Sequence, residues 1–88
     1  MNQHRKSGWV TAKTLIFNDP IKGENFTIPA GEPCALYTTV EEAIERGALN
    51  KSDEDGIWAA KKNTQRGYVL VMLKGKLRGV AQEDIEYR

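Results

Sequence analysis

Residues 68–81 read YVLVMLKGKLRGVA and predict a β-hairpin in the middle of a sheet. The first half, residues 68–73, is apolar at successive positions, which is typical of a central strand covered on both faces. Gly75 with Lys76 suits a two-residue type II′ turn, and residues 77–81 are expected to pair back onto the first strand. We therefore predict a hairpin with apolar layers on both sides.

Shorter extended segments are predicted before and after this hairpin. Residues 63–67 are expected to form a short hairpin loop, and residues 82–84 one helical turn. Further strands are predicted at residues 9–17, 26–28, 34–38, 57–62 and 85–87, with polar loops at 18–25 and 50–56. The predicted core consists of Val10, Ile16, Ile28, Leu36, Ile44, Val69, Val71, Leu73, Val80 and Ile85.

One short helix is predicted at about residues 40–46. Thr39 is a suitable N-cap, and Glu42 three residues later completes a capping box. Gly47 suits the position just after the end of the helix. Apolar side chains at i, i+3 and i+4, counted from residue 40, predict that one face of the helix packs against the sheet.

The order of elements resembles the small five-stranded SH3-like barrel. The resemblance rests on the long loop at residues 18–33, the tight turn near Gly75 and the run VAQEDIE at residues 80–86. It covers most of residues 8–88. It implies a mostly β fold, bordering on α+β, that is a small barrel or a strongly bent antiparallel sheet with one short helix. The aromatic peptide-binding motif of signalling SH3 domains is absent, so binding of proline-rich peptides is not expected.

The composition is that of one small folded protein. The 88 residues predict a flexible polar tail at 1–7 and a single domain at 8–88. A hydrophobic content of 40% and a charged content of 28% are typical of a soluble chain. No apolar run approaches the roughly 20 residues that cross a bilayer, so no membrane partner is expected. Cys34, the single cysteine, cannot form an internal disulfide, which favours the cytoplasm.

Few side chains are suited to catalysis. His4 is the only histidine and lies in the predicted tail, and Cys34 is expected to be a small buried hydrophobe. A calcium loop at residues 53–56 would need acidic ligands where Lys51 and Lys62 stand. We therefore expect no catalytic residue, metal or cofactor, and an enzyme only if copies of the chain share an active site.

The charges are sorted along the chain, although the formal net charge is only +1. Residues 57–82, which are predicted to form three successive strands, contain six basic and no acidic side chains. Local potential rather than net charge steers a partner. The candidate binding residues are Lys61, Lys62, Arg66, Lys74, Lys76 and Arg78, with the rings of Trp58 and Tyr68. A second, acidic surface is predicted at Glu41, Glu42 and Glu45.

Two functions fit this pattern of charge. The first is an accessory or regulatory protein that docks on another protein, or on a copy of itself, through a charge-segregated surface. The alternative is a nucleic-acid-binding protein that contacts phosphates and stacks bases on the basic hairpin at residues 57–80. That alternative requires the basic side chains to share a face with accessible aromatic rings. Docking on a protein requires an exposed apolar patch rimmed by charge, and we favour this function.

Overall fold

A computed structural model describes residues 8–19 and 22–88. The tail predicted at residues 1–7 lies outside the described residues. The described strands are β1 Trp9–Thr11, β2 Leu15–Asp19, β3 Glu24–Ile28, β4 Ala35–Tyr37, β5 Val69–Leu73, β6 Lys76–Val80 and β7 Ile85–Tyr87. The helices are α1 Val40–Glu45, α2 Glu54–Gln65 and a 3₁₀ helix at Gln82–Asp84.

The strands form three small antiparallel sheets, in the orders β1–β7, β2–β3 and β4–β5–β6. The prediction of a mostly β, antiparallel fold is confirmed. The described residues do not form a closed barrel, because no strand of one sheet pairs with a strand of another. The first and last strands pair with each other, with Trp9 opposite Tyr87 and Thr11 opposite Ile85.

Strand β5 is buried on both faces, as the sequence predicts. Leu70 and Val71 are adjacent, so they point to opposite faces, and neither has any exposed surface. Leu70 packs beneath the helices, in a cluster with Val40, Ala43, Leu49 and Ala60. Val71 packs on the other side of the sheet, in a cluster with Leu15, Ile28, Cys34, Leu73, Val80 and Ile85. The sheet β4–β5–β6 is therefore the middle layer of the fold.

Helix α1 is confirmed at the predicted place. The Thr39 hydroxyl accepts a hydrogen bond from the Glu42 N–H at 3.0 Å. The Glu42 carboxylate reaches one residue beyond the predicted capping box and accepts hydrogen bonds from the Thr38 N–H and hydroxyl at 2.9 and 3.0 Å. Gly47 follows the helix with a φ of 81°, a left-handed conformation that glycine adopts without strain.

Helix α2 occupies the place of a predicted strand at residues 57–62 and a predicted loop at 63–67, and both predictions are wrong. The Asp53 carboxylate caps the helix by accepting a hydrogen bond from the Gly56 N–H at 3.0 Å. Acidic side chains then fill the first turn, where the helix dipole favours them. A Cβ at Gly56 would collide with the capping carboxylate, so this glycine belongs to the cap and does not break the helix.

Two further predictions fail near turns. The strand predicted at residues 9–17 is interrupted by a bend at 12–14. Thr11 before the bend and Leu15 after it are both buried, so Ile16, a predicted core residue on the opposite side of the strand, is 70% exposed. The β5–β6 turn has positive φ at both Lys74 (53°) and Gly75 (73°), which defines a type I′ turn at 74–75 and not a type II′ turn at 75–76.

Most of the predicted core lies inside the fold. Five predicted residues are buried: Ile28, Val71, Leu73, Val80 and Ile85. Four are partly buried: Val10, Leu36, Ile44 and Val69. The residues that the prediction missed include Leu49, Ala60 and Leu70, which form the core beneath α2.

No described helix has the length and apolar character needed to cross a membrane.

Gly79 in β6 lies where α2 approaches the sheet closely. A Cβ on Gly79 would lie 2.8 Å from the Asn63 Cβ and still closer to the Asn63 amide group. We expect Gly79→Ala to lower the free energy of unfolding by about 1–3 kcal/mol, because α2 must move away from the strand. Chemical denaturation measures this change.

The same experiment with Asn63→Ala tests the cause of the loss. The double variant should be less destabilised than the sum of the two single variants, because the amide group in the way has been removed. A strictly additive double variant would contradict a clash between these two residues.

Candidate functional site

The six predicted basic residues fall into three separate groups. Three belong to α2 and its C-cap, two to the tip of the β5–β6 hairpin and one to the middle of β6. The five residues of β5 separate the tip from the end of α2 by roughly 17 Å. The groups are Lys61, Lys62 and Arg66; Lys74 and Lys76; and Arg78. They do not share one face of a sheet, because α2 stands where the first of the three strands was predicted.

Trp58 stands on the outward side of α2, with 65% of its surface exposed. It belongs to neither of the two hydrophobic clusters of the described residues. Helical geometry requires this position, because Trp58 lies about 200° around the helix axis from the buried Ala60. The fold thus leaves a large apolar ring in water.

Charged side chains of opposite sign flank Trp58. Residues three and four positions apart on a helix are neighbours. Asp55 and Glu54 occupy these positions toward the N-terminus, Lys61 and Lys62 occupy them toward the C-terminus, and all four are exposed. The Lys62 Nζ lies 5.3 Å from the centroid of the Trp58 ring, as in a cation–π contact. We call this surface the Trp58 face, and it consists of Glu54, Asp55, Trp58, Lys61, Lys62 and Gln65.

Sequence reasoning found the aromatic and basic members of the Trp58 face and missed its acidic members. The sequence predicts Glu54 and Asp55 in a loop, separate from the candidate site. The signal that could have found them is their spacing of three and four residues before Trp58, which mirrors the spacing of Lys61 and Lys62 after it.

Tyr68 is also accessible, at 40% exposed, but it lies beyond the end of α2. It lines a shallow groove of about 200 Å³ between β2 and β6, together with Ile16 and Val80. Among the described strands, β2 pairs only with β3 and β6 only with β5. Both predicted stacking rings are exposed, but they lie at different places, because Tyr68 lines this groove and Trp58 stands on α2.

Arg78 is engaged within the fold. Its guanidinium carbon lies 4.9 Å from the centroid of the Phe17 ring and 4.7 Å from that of Phe26. Its Nε donates a hydrogen bond to the Leu73 carbonyl at 3.2 Å. Burial lowers the pKa of Arg78 from its usual value, and nearby Asp19 partly offsets this shift. The side chain links the β2–β3 hairpin to the edge of the central sheet.

In the predicted acidic surface on α1, one residue is engaged within the fold, as Arg78 is among the basic residues, and two are exposed. The hydrogen bonds from Thr38 hold the Glu42 carboxylate and lower its pKa. Its second oxygen lies 3.7 Å from the Arg46 Nε. Glu41 and Glu45 are exposed. On the helical side of the sheet, the exposed carboxylates outside these contacts are therefore Glu41 and Glu45 on α1 and those in the first turn of α2.

Cys34 is buried, as the sequence predicts for a small hydrophobe. Its Sγ lies 3.8 Å from the Trp9 carbonyl oxygen. Burial raises the pKa of the thiol, and the charge of Glu32 raises it further. Neutral thiols are poor nucleophiles. Within residues 8–19 and 22–88, no group of three or more His, Cys, Asp or Glu side chains is arranged to hold a metal ion; His4 lies outside these residues.

A cleft of about 500 Å³ separates the first half of α2 from the tip of the β5–β6 hairpin. Its walls carry Asp53 and Asp55 on one side and Lys76 on the other, with Leu49 and Leu77 among its apolar residues. Asp53 is already committed to capping α2. The cleft has the volume of a small-molecule site but no set of converging polar groups that identifies a ligand.

Comparisons of this chain with protein-family models, with curated proteins and with solved structures find no match.

The role of Arg78 can be tested by its effect on stability. We expect Arg78→Gln to lower the free energy of unfolding by about 1–2 kcal/mol, because the contacts with both rings and with the Leu73 carbonyl are lost. Lys76→Gln is a matched control on the same strand, where the side chain is exposed, and should change stability by less than about 0.5 kcal/mol. If thermal or chemical unfolding shows equally small effects for both variants, Arg78 does not stabilise the fold and is as available for binding as the exposed basic residues.

Proposed function

We propose that this chain is a non-enzymatic binding protein that docks on another protein through the Trp58 face. The observation that carries the proposal is Trp58, which is 65% exposed and stands between acidic and basic side chains on one helix. Tryptophan is enriched among the residues that dominate binding energy, because one ring fills a pocket and keeps water out. An apolar centre with a charged rim is the anatomy of a docking surface.

The order of charges around Trp58 supports a specific orientation of the partner. The N-terminal half of the Trp58 face is acidic and its C-terminal half is basic. A partner must present the reverse order, since like charges brought together across an interface are repelled. The same order of charges also stabilises α2 through the helix dipole, and this effect is enough to explain why the charges are there. It does not account for a tryptophan between them.

Nucleic-acid binding is the alternative, and the two exposed rings with Lys61, Lys62 and Arg66 favour it. Two observations weigh against it. Glu54 and Asp55 lie within about one turn of Trp58 and would repel the phosphates of a strand stacked there. The remaining basic residues are at the far end of β5 or, for Arg78, held against two phenylalanine rings.

The strand order supports an SH3-like architecture as part of this proposal. β1 pairs with β7 on one side, and on its other side Val10 bridges to Pro33. The Cys34 N–H donates to the Trp9 carbonyl at 3.0 Å, so the segment that leads into β4 adjoins β1. Both α-helices then occupy the connection between β4 and β5. In this architecture the docking surface lies on an insertion and not on the strands.

An enzyme with an active site shared between copies is the third possibility, and the 500 Å³ cleft is the feature that favours it. We rank it last because its best-placed carboxylate, Asp53, caps α2.

The cytoplasm remains the proposed location, because the chain has a single cysteine and so cannot form an internal disulfide.

A photo-crosslinking residue on the Trp58 face tests the docking proposal. We expect a benzophenone amino acid in place of Gln65 to cross-link to a protein in the native host, because Gln65 lies two turns after Trp58 on the same side of α2. The same residue in place of Thr27, which is exposed on β3, is the control and should not cross-link to that protein. Trp58→Ala should abolish the product without unfolding the chain, because the ring is mostly exposed.

Mass spectrometry of the product separates the alternatives. Equal cross-linking from positions 65 and 27, or a product that survives Trp58→Ala, would overturn the proposed face. A cross-link to RNA or DNA would replace protein docking with the nucleic-acid alternative.

Titration with short single-stranded and duplex oligonucleotides gives an independent test of that alternative. We expect no binding that falls log-linearly with salt, because Glu54 and Asp55 oppose phosphate contacts. Fluorescence anisotropy of labelled oligonucleotides measures it. Salt-dependent binding that is lost in Lys61→Gln/Lys62→Gln would contradict our preference for a protein partner.

A further inference from the structure

We infer that the Trp58 face fits a second copy of this chain, with the α2 helices of the two copies packed antiparallel about a two-fold axis at Trp58. The inference rests on the proposed function of this face as a docking surface, and it names the partner. It is carried by the placement of charge around Trp58, which has the symmetry that such a pair requires.

The charges are arranged antisymmetrically about Trp58. Glu54 and Asp55 precede it by four and three residues, and Lys62 and Lys61 follow it by four and three. A two-fold axis at Trp58 places the acidic half of one α2 beside the basic half of the other and keeps each lateral side of the helix on its own side of the contact. Glu54 and Lys61 lie on one side of Trp58, and Asp55 and Lys62 lie on the other. Glu54 of one copy then faces Lys61 of the second copy, and Asp55 faces Lys62.

This pairing satisfies every charge on the face at once. The two-fold operation repeats both contacts, so four pairs of opposite charge surround the interface. A parallel arrangement of the helices would place acid against acid and base against base, which is repulsive. Charge therefore selects the antiparallel orientation among the ways in which two α2 helices can meet.

The apolar part of the contact lies at the axis. Trp58 of each copy is 65% exposed in the single chain and would be covered by its counterpart. Aromatic rings that meet in offset or edge-on geometry attract each other beyond the burial of their surface. The Lys62 ammonium, 5.3 Å from the Trp58 ring within one copy, can stay over that ring while it faces Asp55 of the second copy.

The size of the interface sets the strength of the pair. A helix of 12 residues is about 18 Å long, so the contact is smaller than the roughly 800 Å² per partner of a standard interface. We therefore expect a dimer that dissociates on dilution and weakens with added salt. Neither the groove beside Tyr68 nor the 500 Å³ cleft has charges arranged so that the surface would be complementary to a second copy of itself.

Charge reversal in two separate variants tests the pairing directly. Glu54→Lys/Asp55→Lys makes the Trp58 face uniformly basic, and Lys61→Glu/Lys62→Glu makes it uniformly acidic. We expect each variant alone to dimerise at least about tenfold more weakly than the native chain, and an equimolar mixture to form a heterodimer, because opposite charges again meet. Sedimentation equilibrium from roughly 10 μM to roughly 1 mM covers the affinities expected of so small a contact.

Controls separate this effect from other surfaces and from misfolding. Glu41→Lys/Glu45→Lys reverses exposed acidic charge on α1 and should dimerise like the native chain. Trp58→Ala should be monomeric. Circular dichroism reports whether each variant keeps its helices; if the basic variant loses α2, Glu54→Gln/Asp55→Gln removes the attraction without reversing it and should also dimerise more weakly.

The outcomes are decisive for the inference and separate from those for docking. A native chain that stays monomeric through the series overturns self-pairing, and so does a mixture of the two variants that fails to associate. A dimer that survives Trp58→Ala would show that another surface is used. In each of these cases the docking proposal still depends on the cross-link from position 65, which would then lead to a different protein.

Discussion

The burial of β5 on both of its faces is the constraint on which the other elements depend. Leu70 and Val71 are adjacent in the chain, face opposite sides and are both without exposed surface. The helices pack on the Leu70 side, and the β1–β7 and β2–β3 sheets pack on the Val71 side. A chain of 88 residues buries a modest share of its surface, so it cannot build two independent cores. Here one strand serves both.

The orientation of α2 follows from this layer and in turn exposes the candidate site. Ala60 must face Leu70 for the cluster beneath the helices to close, and Asn63 approaches Gly79 closely on β6. With these two positions inward, Trp58 can only face water, because it lies on the opposite side of the helix. The exposed ring is therefore a consequence of how the helix packs.

The sequence predicted elements whose signals are local. Thr39 and Gly47 predict α1, and residues 82–84 predict the single helical turn that the structure has at Gln82–Asp84. α2 was missed because the acidic run at residues 53–56 ends in a glycine, which is typical of a loop. The carboxylate of Asp53 turns that run into a cap. The candidate site was found in part, since its aromatic and basic members are near each other in any conformation. Its acidic members join it only in a helix.

Other features depended on contacts between distant segments and had no local signal. The contact of Arg78 with Phe17 and Phe26 requires the β2–β3 hairpin to lie against β6. The exposure of Ile16 follows from which side of β2 packs on the core, and that side carries Leu15, which pairs with the buried Ile28 of β3. Choosing the other side of a strand exchanges all of its inward and outward side chains.

The pairing of β1 with β7 has a topological consequence. The Arg88 N–H donates to the Gly8 carbonyl at 2.8 Å, so the polypeptide enters and leaves the described structure at one point. A unit with adjacent ends can sit within the loop of a larger chain on a two-stranded stalk, without stretching either side of the host. It can also be circularly permuted, with new ends opened at the exposed Lys74–Gly75 turn. The pairing of β1 with β7 thereby makes the order of the segments along the chain exchangeable.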